Sequence, residues 1–333
     1  SPRVYADDKI ILQSEYRQAF ENSNLISDFS FNHDGKNTNT HLFTKINGSI
    51  NPTTKFDFKY QDVTNDDYLK VHNLSNSSSI IENESLLTTQ FKVTKKIDDS
   101  TNLDTNFTVY EDLSKADSDR FQYIMPNFTF TKNITIPNNY NGNFKFISSG
   151  FQKNYDTNKY ESLLINDFLY ESNDIVSEFG LLSDYDIIVK NFNSYTENSS
   201  NYTEKEEYDV FSSLLFKTSL PLKKTSERSQ NYLTPILAVR YSPNNTKNIS
   251  DKDIKLNYNN IFSLNRIGSN EIVEGGKSVS IGLDYEKRDL EDNKIIGLNI
   301  ANSIRDKKND NLPTKSNLNN LRSDIVGSLS FNP

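Results

Sequence analysis

The sequence predicts an all-β protein: an antiparallel, up-and-down transmembrane β-barrel. Three observations predict it. The 333-residue chain is polar yet rich in aromatics, with 34% hydrophobic residues and 12% Phe, Trp and Tyr together. Its apolar residues recur with a period of two. Its polar spacers are made of turn formers.

Composition sets the first limit. Soluble domains reach about 45–50% apolar residues on a set that counts Gly in place of Tyr. A soluble fold of this length would be short of core. Disordered chains are polar too, but they are poor in aromatics. A membrane barrel fits both facts, because it needs apolar residues only in the row that meets lipid and polar residues toward its lumen. No run of about 18 apolar residues occurs, which excludes a transmembrane helix. The formal net charge of −8 argues against a nucleic-acid surface. Cysteine is absent, so there is neither a disulfide framework nor a thiolate metal site. The opening Ser1-Pro2-Arg3 shows no signal-peptide pattern.

The strands follow from alternation, because successive strand side chains point to opposite faces. Leu42, Thr44, Ile46 and Ile50 oppose Lys45, Asn47 and Ser49. Phe56, Phe58 and Tyr60 alternate with Asp57 and Lys59. Leu87, Thr89, Phe91 and Val93 form a third row, and Leu103, Thr105, Phe107 and Val109 a fourth. Val279, Ile281, Leu283 and Tyr285, then Ile296, Leu298 and Ile300, repeat the pattern. Leu103, Phe107 and Val109, and likewise Val279, Ile281 and Leu283, are expected to face lipid. Asn, Asp, Ser and Gly fill the spacers, as in 32–36, 138–142 and 242–245. The longer polar stretches 61–85 and 193–207 read as extended loops. At about 9–11 residues per crossing plus a connection, the chain holds about 15–17 strands. No linker divides it, so 1–333 reads as one region. No fixed repeat period supports a solenoid.

Motifs for chemistry are weak. Glu274-Gly275-Gly276-Lys277-Ser278 resembles the end of a phosphate loop, but Glu271 stands where the motif needs its first Gly. An alternating run follows it rather than a helix, so the segment reads as a turn entering a strand. His33, His41 and His72 are the three histidines and lack a metal-ligand pattern. Asp66-Asp67 and Glu206-Glu207 read as solvated loop charge. The Asn-x-Ser/Thr triplets at Asn106, Asn127 and Asn133 lie in strand-like runs. No Gly-x-Ser-x-Gly elbow, Cys nucleophile or His-Glu-x-x-His occurs, so the residues give no reason to expect an enzyme or a cofactor.

Ile10–Arg17, Ser118–Phe128, the stretch Leu233-Thr234-Pro235 through Arg240-Tyr241-Ser242-Pro243, Asn265-Arg266-Ile267, Glu274-Gly275-Gly276 and Leu321–Gly327 form an ordered set of segments. This set is similar to the barrel of the LptD family, the outer-membrane LPS-assembly proteins. The resemblance marks Pro235, Arg240, Tyr241, Pro243, Arg266, Glu274, Gly275 and Gly276 as signature positions of structural rather than proven binding role. It implies a barrel in the cell outer membrane that inserts lipopolysaccharide into the outer leaflet. Its partners would be lipopolysaccharide, outer-membrane lipid, an LptE-type lipoprotein plug in the lumen and an LptA-type periplasmic bridge docking on an N-terminal jellyroll. That jellyroll and the last barrel strands are not recognised in 1–333, so a partial, improperly closed barrel is expected. The family's cysteines belong to those other parts. Another outer-membrane barrel, a porin or a plugged receptor, shares every compositional argument. A secreted adhesin would instead be soluble without detergent.

Overall fold

Every alternating row named above lies within one strand. The computed structural model describes residues 2–4, 10–33, 36–137 and 141–332. Asp34, Gly35 and 138–140, part of two predicted turns, lie outside the described residues. Among the described residues there are eighteen strand segments, three of them only two to four residues long, and the fifteen longer ones agree with the expected 15–17. Among the described residues helix is confined to Tyr68–Val71 and short 3-10 turns. No helix among the described residues is long and apolar enough to cross a membrane.

The chain divides into two compact units. The first contains Ser1–Lys132, Ile147–Ile165 and Asn193–Tyr208. Its strands β1 (Pro2–Val4), β2 (Ile10–Ala19), β3 (Ser23–His33), β4 (Thr38–Asn51), β5 (Thr54–Val63), β6 (Leu86–Asp98), β7 (Thr101–Asp112) and most of β8 (Phe121–Ile134) pair antiparallel in chain order. Asn and Asp close its short turns. Asn51 Oδ1 accepts the Thr53 N–H at 3.0 Å, and Asp98 Oδ1 the Ser100 N–H at 2.8 Å. Such side chains satisfy a turn's own backbone. Pro126 sits where the β7–β8 register slips between Asn106 and Thr108. A bulge tolerates a residue without an N–H, and the slip leaves Phe128 beside Thr105 and Tyr123 beside Val109, on one face.

β9 (Gly142–Tyr155), β10 (Lys159–Ser172), β12 (Leu182–Glu197) and β13 (Lys205–Ser219) contribute one end to each unit, and β11 (Ile175–Val176) is a short spur on β12. The second unit contains Asn133–Phe146, Asn166–Phe192 and Asp209–Pro333. There β15 (Gln230–Ser242) pairs with β13, with the short β14 (Leu222–Thr225) and with β16 (Gly276–Arg288). β17 (Lys294–Arg305) and β18 (Val326–Phe331) complete it, and β18 pairs only with β17 within the unit.

Register aligns the apolar rows across these strands. Phe216, Val239, Val279 and Ile304 are successive neighbours, and so are Pro235, Leu283 and Ile300. Ile281, Leu237, Leu298 and Phe216 in these rows are each about 40–50% exposed. The opposite row holds Ala238, Arg240, Ser278, Ser280, Ala301 and Ser303, all buried.

Two predicted loops need correction. In 193–207 the strands run on to Glu197 and restart at Lys205. The small polar side chains of Ser194 and Thr196 fill the buried row there, so polarity marked an inner face rather than a loop. In 61–85, residues up to Val63 are strand, and the remainder folds over the inner face. Tyr68, Leu69, Leu74, Ile80 and Ile81 pack with Phe43, Leu87 and Leu113. In the second unit 243–275 and 306–325 do the same, with Ile249, Leu256, Ile261, Ile267, Leu312 and Leu318 against Ala301. The long, apolar-cored connections 64–85 and 243–275 leave the strand ends opposite the short turns 52–53, 99–100 and 289–293. His41, on the inner face, is buried beneath this covering.

Candidate functional site

The inward row of β15 and β17 carries two arginines that no hydrophobic layer would accept alone. Arg240 follows Ala238 on the inner face of β15, and Arg305 follows Ser303 on β17. Both are buried. Their charge is answered by Glu274, the second-last residue before β16. Arg240 Nη2 lies 2.8 Å from Glu274 Oε1, and Arg305 Nη1 also donates to Oε1. Arg240 additionally binds the Glu274 carbonyl through both Nη atoms at 2.8 Å.

A third arginine arrives from the covering segment. Arg266 Nε donates to Glu274 Oε2 at 2.7 Å and its Nη2 to Oε1 at 2.6 Å. Its Nη1 reaches Ser303 Oγ at 2.6 Å, and its Nη2 reaches Ser278 Oγ at 3.0 Å. Arg266 therefore ties 243–275 to the inner wall of both β16 and β17. Burial works against an ionised Glu274, but Arg240, Arg266 and Arg305 outweigh it and hold the carboxyl well below the usual carboxylate range. A charge taken out of water is stable only when paired and hydrogen-bonded this fully.

The glycines make the approach possible. A side chain at Gly275 would sit 2.0 Å from the Asn244 carbonyl, and its N–H donates to Thr246 Oγ1 at 2.8 Å. Gly276 has φ +91, which glycine adopts without strain. Its neighbour Gly275 gives its carbonyl to Arg305 Nη2 at 2.7 Å.

Five signature positions thus meet: Arg240, Arg266, Glu274, Gly275 and Gly276. Three do not. Pro235 and Tyr241 belong to the outward row, and Pro243 is exposed just past the strand end. Sequence reasoning missed Arg305, Thr246 and the serines 278, 280 and 303. Arg305 falls in the polar row of an alternating run, which was a signal for its face but not for its partner.

The first unit has a smaller polar cluster. Ser30 Oγ lies 2.6 Å from His41 Nδ1 and 2.8 Å from the Tyr68 hydroxyl, while His41 Nε2 lies 3.0 Å from Asp28 Oδ1. Gln13 Nε2 donates to Asp28, and Ser77 to Gln13. A Ser–His–Asp string suggests nucleophilic catalysis. Here Ser30 is enclosed and its oxygen is held by Tyr68, so the string fastens the helical turn Tyr68–Val71 to β3 and β4. Asp66 likewise accepts two bonds from Arg120, at 2.7 and 3.0 Å, and Glu111 accepts a third at 2.7 Å. The acidic pair at 66–67 is therefore a docking point rather than only solvated charge.

Comparison with known proteins gives one family: LptD, LPS transport system D, matches residues 37–333. No curated protein matches the sequence. Among solved structures, a bacterial polysaccharide outer membrane secretin matches at TM-score 0.29 and 8% identity, over 96% of this chain and 87% of that one. OmpT, an outer membrane protein of Vibrio cholerae, matches at TM-score 0.31 and 9% identity, over 97% and 89%. The assignment rests on the family match, which spans most of the chain.

Proposed function

The chain belongs to the LptD family of LPS transport, a family of outer-membrane barrels, and from that membership we propose that it is the translocon that inserts lipopolysaccharide into the outer leaflet. The observation that carries this reading is the match over residues 37–333. Residues 1–333 are read as one barrel region. The apolar row through Leu237, Ile281 and Leu298 is then the lipid belt, and the polar row is the lumenal wall. The family is one of transport, and the proposed step breaks no covalent bond.

Support comes from the inner face. Porins keep a water-filled lumen. Here long connections fold against the inner wall in each unit and are bolted there by buried polar groups. Passage of a glycolipid through a side seam is compatible with such covering, because strand pairing is the main restraint on a seam. The expected partners are an LptE-type lipoprotein inside the barrel and an LptA-type periplasmic bridge upstream.

The test is depletion of the protein in its own cells. Surface lipopolysaccharide should fall while its synthesis continues. Unchanged surface lipopolysaccharide with lost solute uptake would assign the chain to a porin or receptor instead.

A further inference from the structure

We propose that the second unit holds a phosphate-binding site at the end of β15–β17 where the long connections emerge. The inference rests on the transport reading only for the source of the phosphate. A cavity of about 450 Å³ opens there between the start of 243–275 and the start of 306–325. Arg305, Lys307 and Lys308 line it against one carboxylate, Asp306. The chain as a whole is acidic, at −8, so a local excess of two positive charges is a concentrated exception.

The arrangement is built rather than incidental. Arg305 is almost fully enclosed, with 3% of its side chain exposed. Its Nη atoms are committed to Glu274 and to the Gly275 carbonyl, while its Nε has no hydrogen-bond partner among the described residues. Glu274 cannot answer this charge alone, because it already serves Arg240 and Arg266. Behind the cavity the cluster is therefore cationic. Lys307 and Lys308 add two exposed charges at its rim, and neither is ion-paired among the described residues. The floor is fixed: Asn309 Nδ2 donates to Thr246 Oγ1 and Asn311 Nδ2 to the Thr246 carbonyl, both at 3.0 Å.

The charge count selects the ligand. A phosphate monoester carries about −1.5 to −2 at neutral pH and three strong acceptor oxygens. That matches an excess of two, whereas a carboxylate supplies half of it. An arginine fixed in the wall by its neighbours, with two lysines at the rim, is suited to such an anion. A phosphorylated sugar on a glycolipid and free phosphate offer the same group.

The experiment uses the full chain in detergent micelles and measures affinity for three probes: inorganic phosphate, a phosphorylated glycolipid and the same glycolipid dephosphorylated. Wild-type protein should prefer the phosphorylated glycolipid, lose that preference at high salt, and be competed by inorganic phosphate. The Lys307→Gln/Lys308→Gln double variant, whose side chains are exposed, should bind about tenfold more weakly while keeping its heat-modifiable gel mobility. Tighter binding of the glycolipid than of the free ion identifies a lipid-borne phosphate; equal binding identifies the free ion. Equal affinity for the two glycolipids, or an unaffected double variant, overturns the site. If depletion leaves surface lipopolysaccharide unchanged, the transport reading fails and the inorganic phosphate arm alone decides the site.

Discussion

Arg266 and Glu274 face each other through two parallel hydrogen bonds, 2.7 and 2.6 Å long, with each side chain about 1% exposed. The two residues are eight apart in sequence, Arg266 inside the covering segment 243–275 and Glu274 at its end, where the chain enters β16. Their pairing converts a polar connection into part of the wall.

Loss of the Glu274 charge should therefore destabilise the second unit. Glu274→Gln leaves three guanidinium groups around a neutral amide, and breaking a buried pair costs about 3–5 kcal/mol. Urea unfolding in micelles should show a clearly lowered midpoint. Tyr241→Phe, on the outward row, should change it little. Equal midpoints for Glu274→Gln and wild type would contradict the cluster's structural role.

The same pair sets a pH dependence. Glu274 is held well below its ordinary value in the folded state. A carboxylate of depressed pKa contributes stability that is fully present above its unfolded value, about 4.3 for Glu, and is lost as pH falls through the folded value. Wild-type stability should decline on acidification below about pH 5. Glu274→Gln should show a shallower decline, measured as the folded fraction by gel mobility between pH 7 and 3. Parallel curves would remove Glu274 as a contributor.

The two strand faces should respond oppositely to charge. Phe91 is exposed on the outward row of β6, while the neighbouring Gln90 faces inward and donates to Thr108 Oγ1 at 3.0 Å. An arginine on the lipid face near the midplane costs about 2–4 kcal/mol. Phe91→Arg should impair assembly into vesicles more than Gln90→Arg. Ile281 and Ser280 make a poorer pair, because Ser280 is packed under the Ile261 carbonyl and Arg266. Equal losses at 90 and 91 would mean that the faces are misassigned.

The covering segment of the first unit should loosen without its hydroxyl anchor. Tyr68→Phe removes the bond to Ser30 and leaves the ring packed; such a change costs about 1–3 kcal/mol. Amide exchange should rise in 64–85 and stay low in β3 and β4. Leu74→Ala should act in the same direction by about 2–5 kcal/mol. Unchanged exchange in 64–85 for both variants would show that this cluster does not hold the segment.

The strands were legible because alternation is local. Val279 to Tyr285 declares its two faces without reference to any other residue, and β16 contains that run from end to end. The loops were less so. Ser194 and Thr196 look like loop residues in isolation, and only a covered inner face makes them strand residues. The signature residues Arg240, Arg266 and Glu274 were found by resemblance, but nothing in their spacing said that they touch.

The sequence by itself determined the all-β class, the positions of most strands and which residues share an apolar row. These depend on a two-residue period and on turn chemistry, which are properties of short segments. Only the tertiary structure decided that 243–275 covers the inner wall, that Glu274 serves three arginines, and that Arg305 stands beside Lys307 and Lys308 in one cavity. Such contacts join residues up to 65 positions apart, as Asn311 to Thr246 shows. A polar side chain reads the same in sequence whether water or a buried partner satisfies it, and the fold alone supplies the partner.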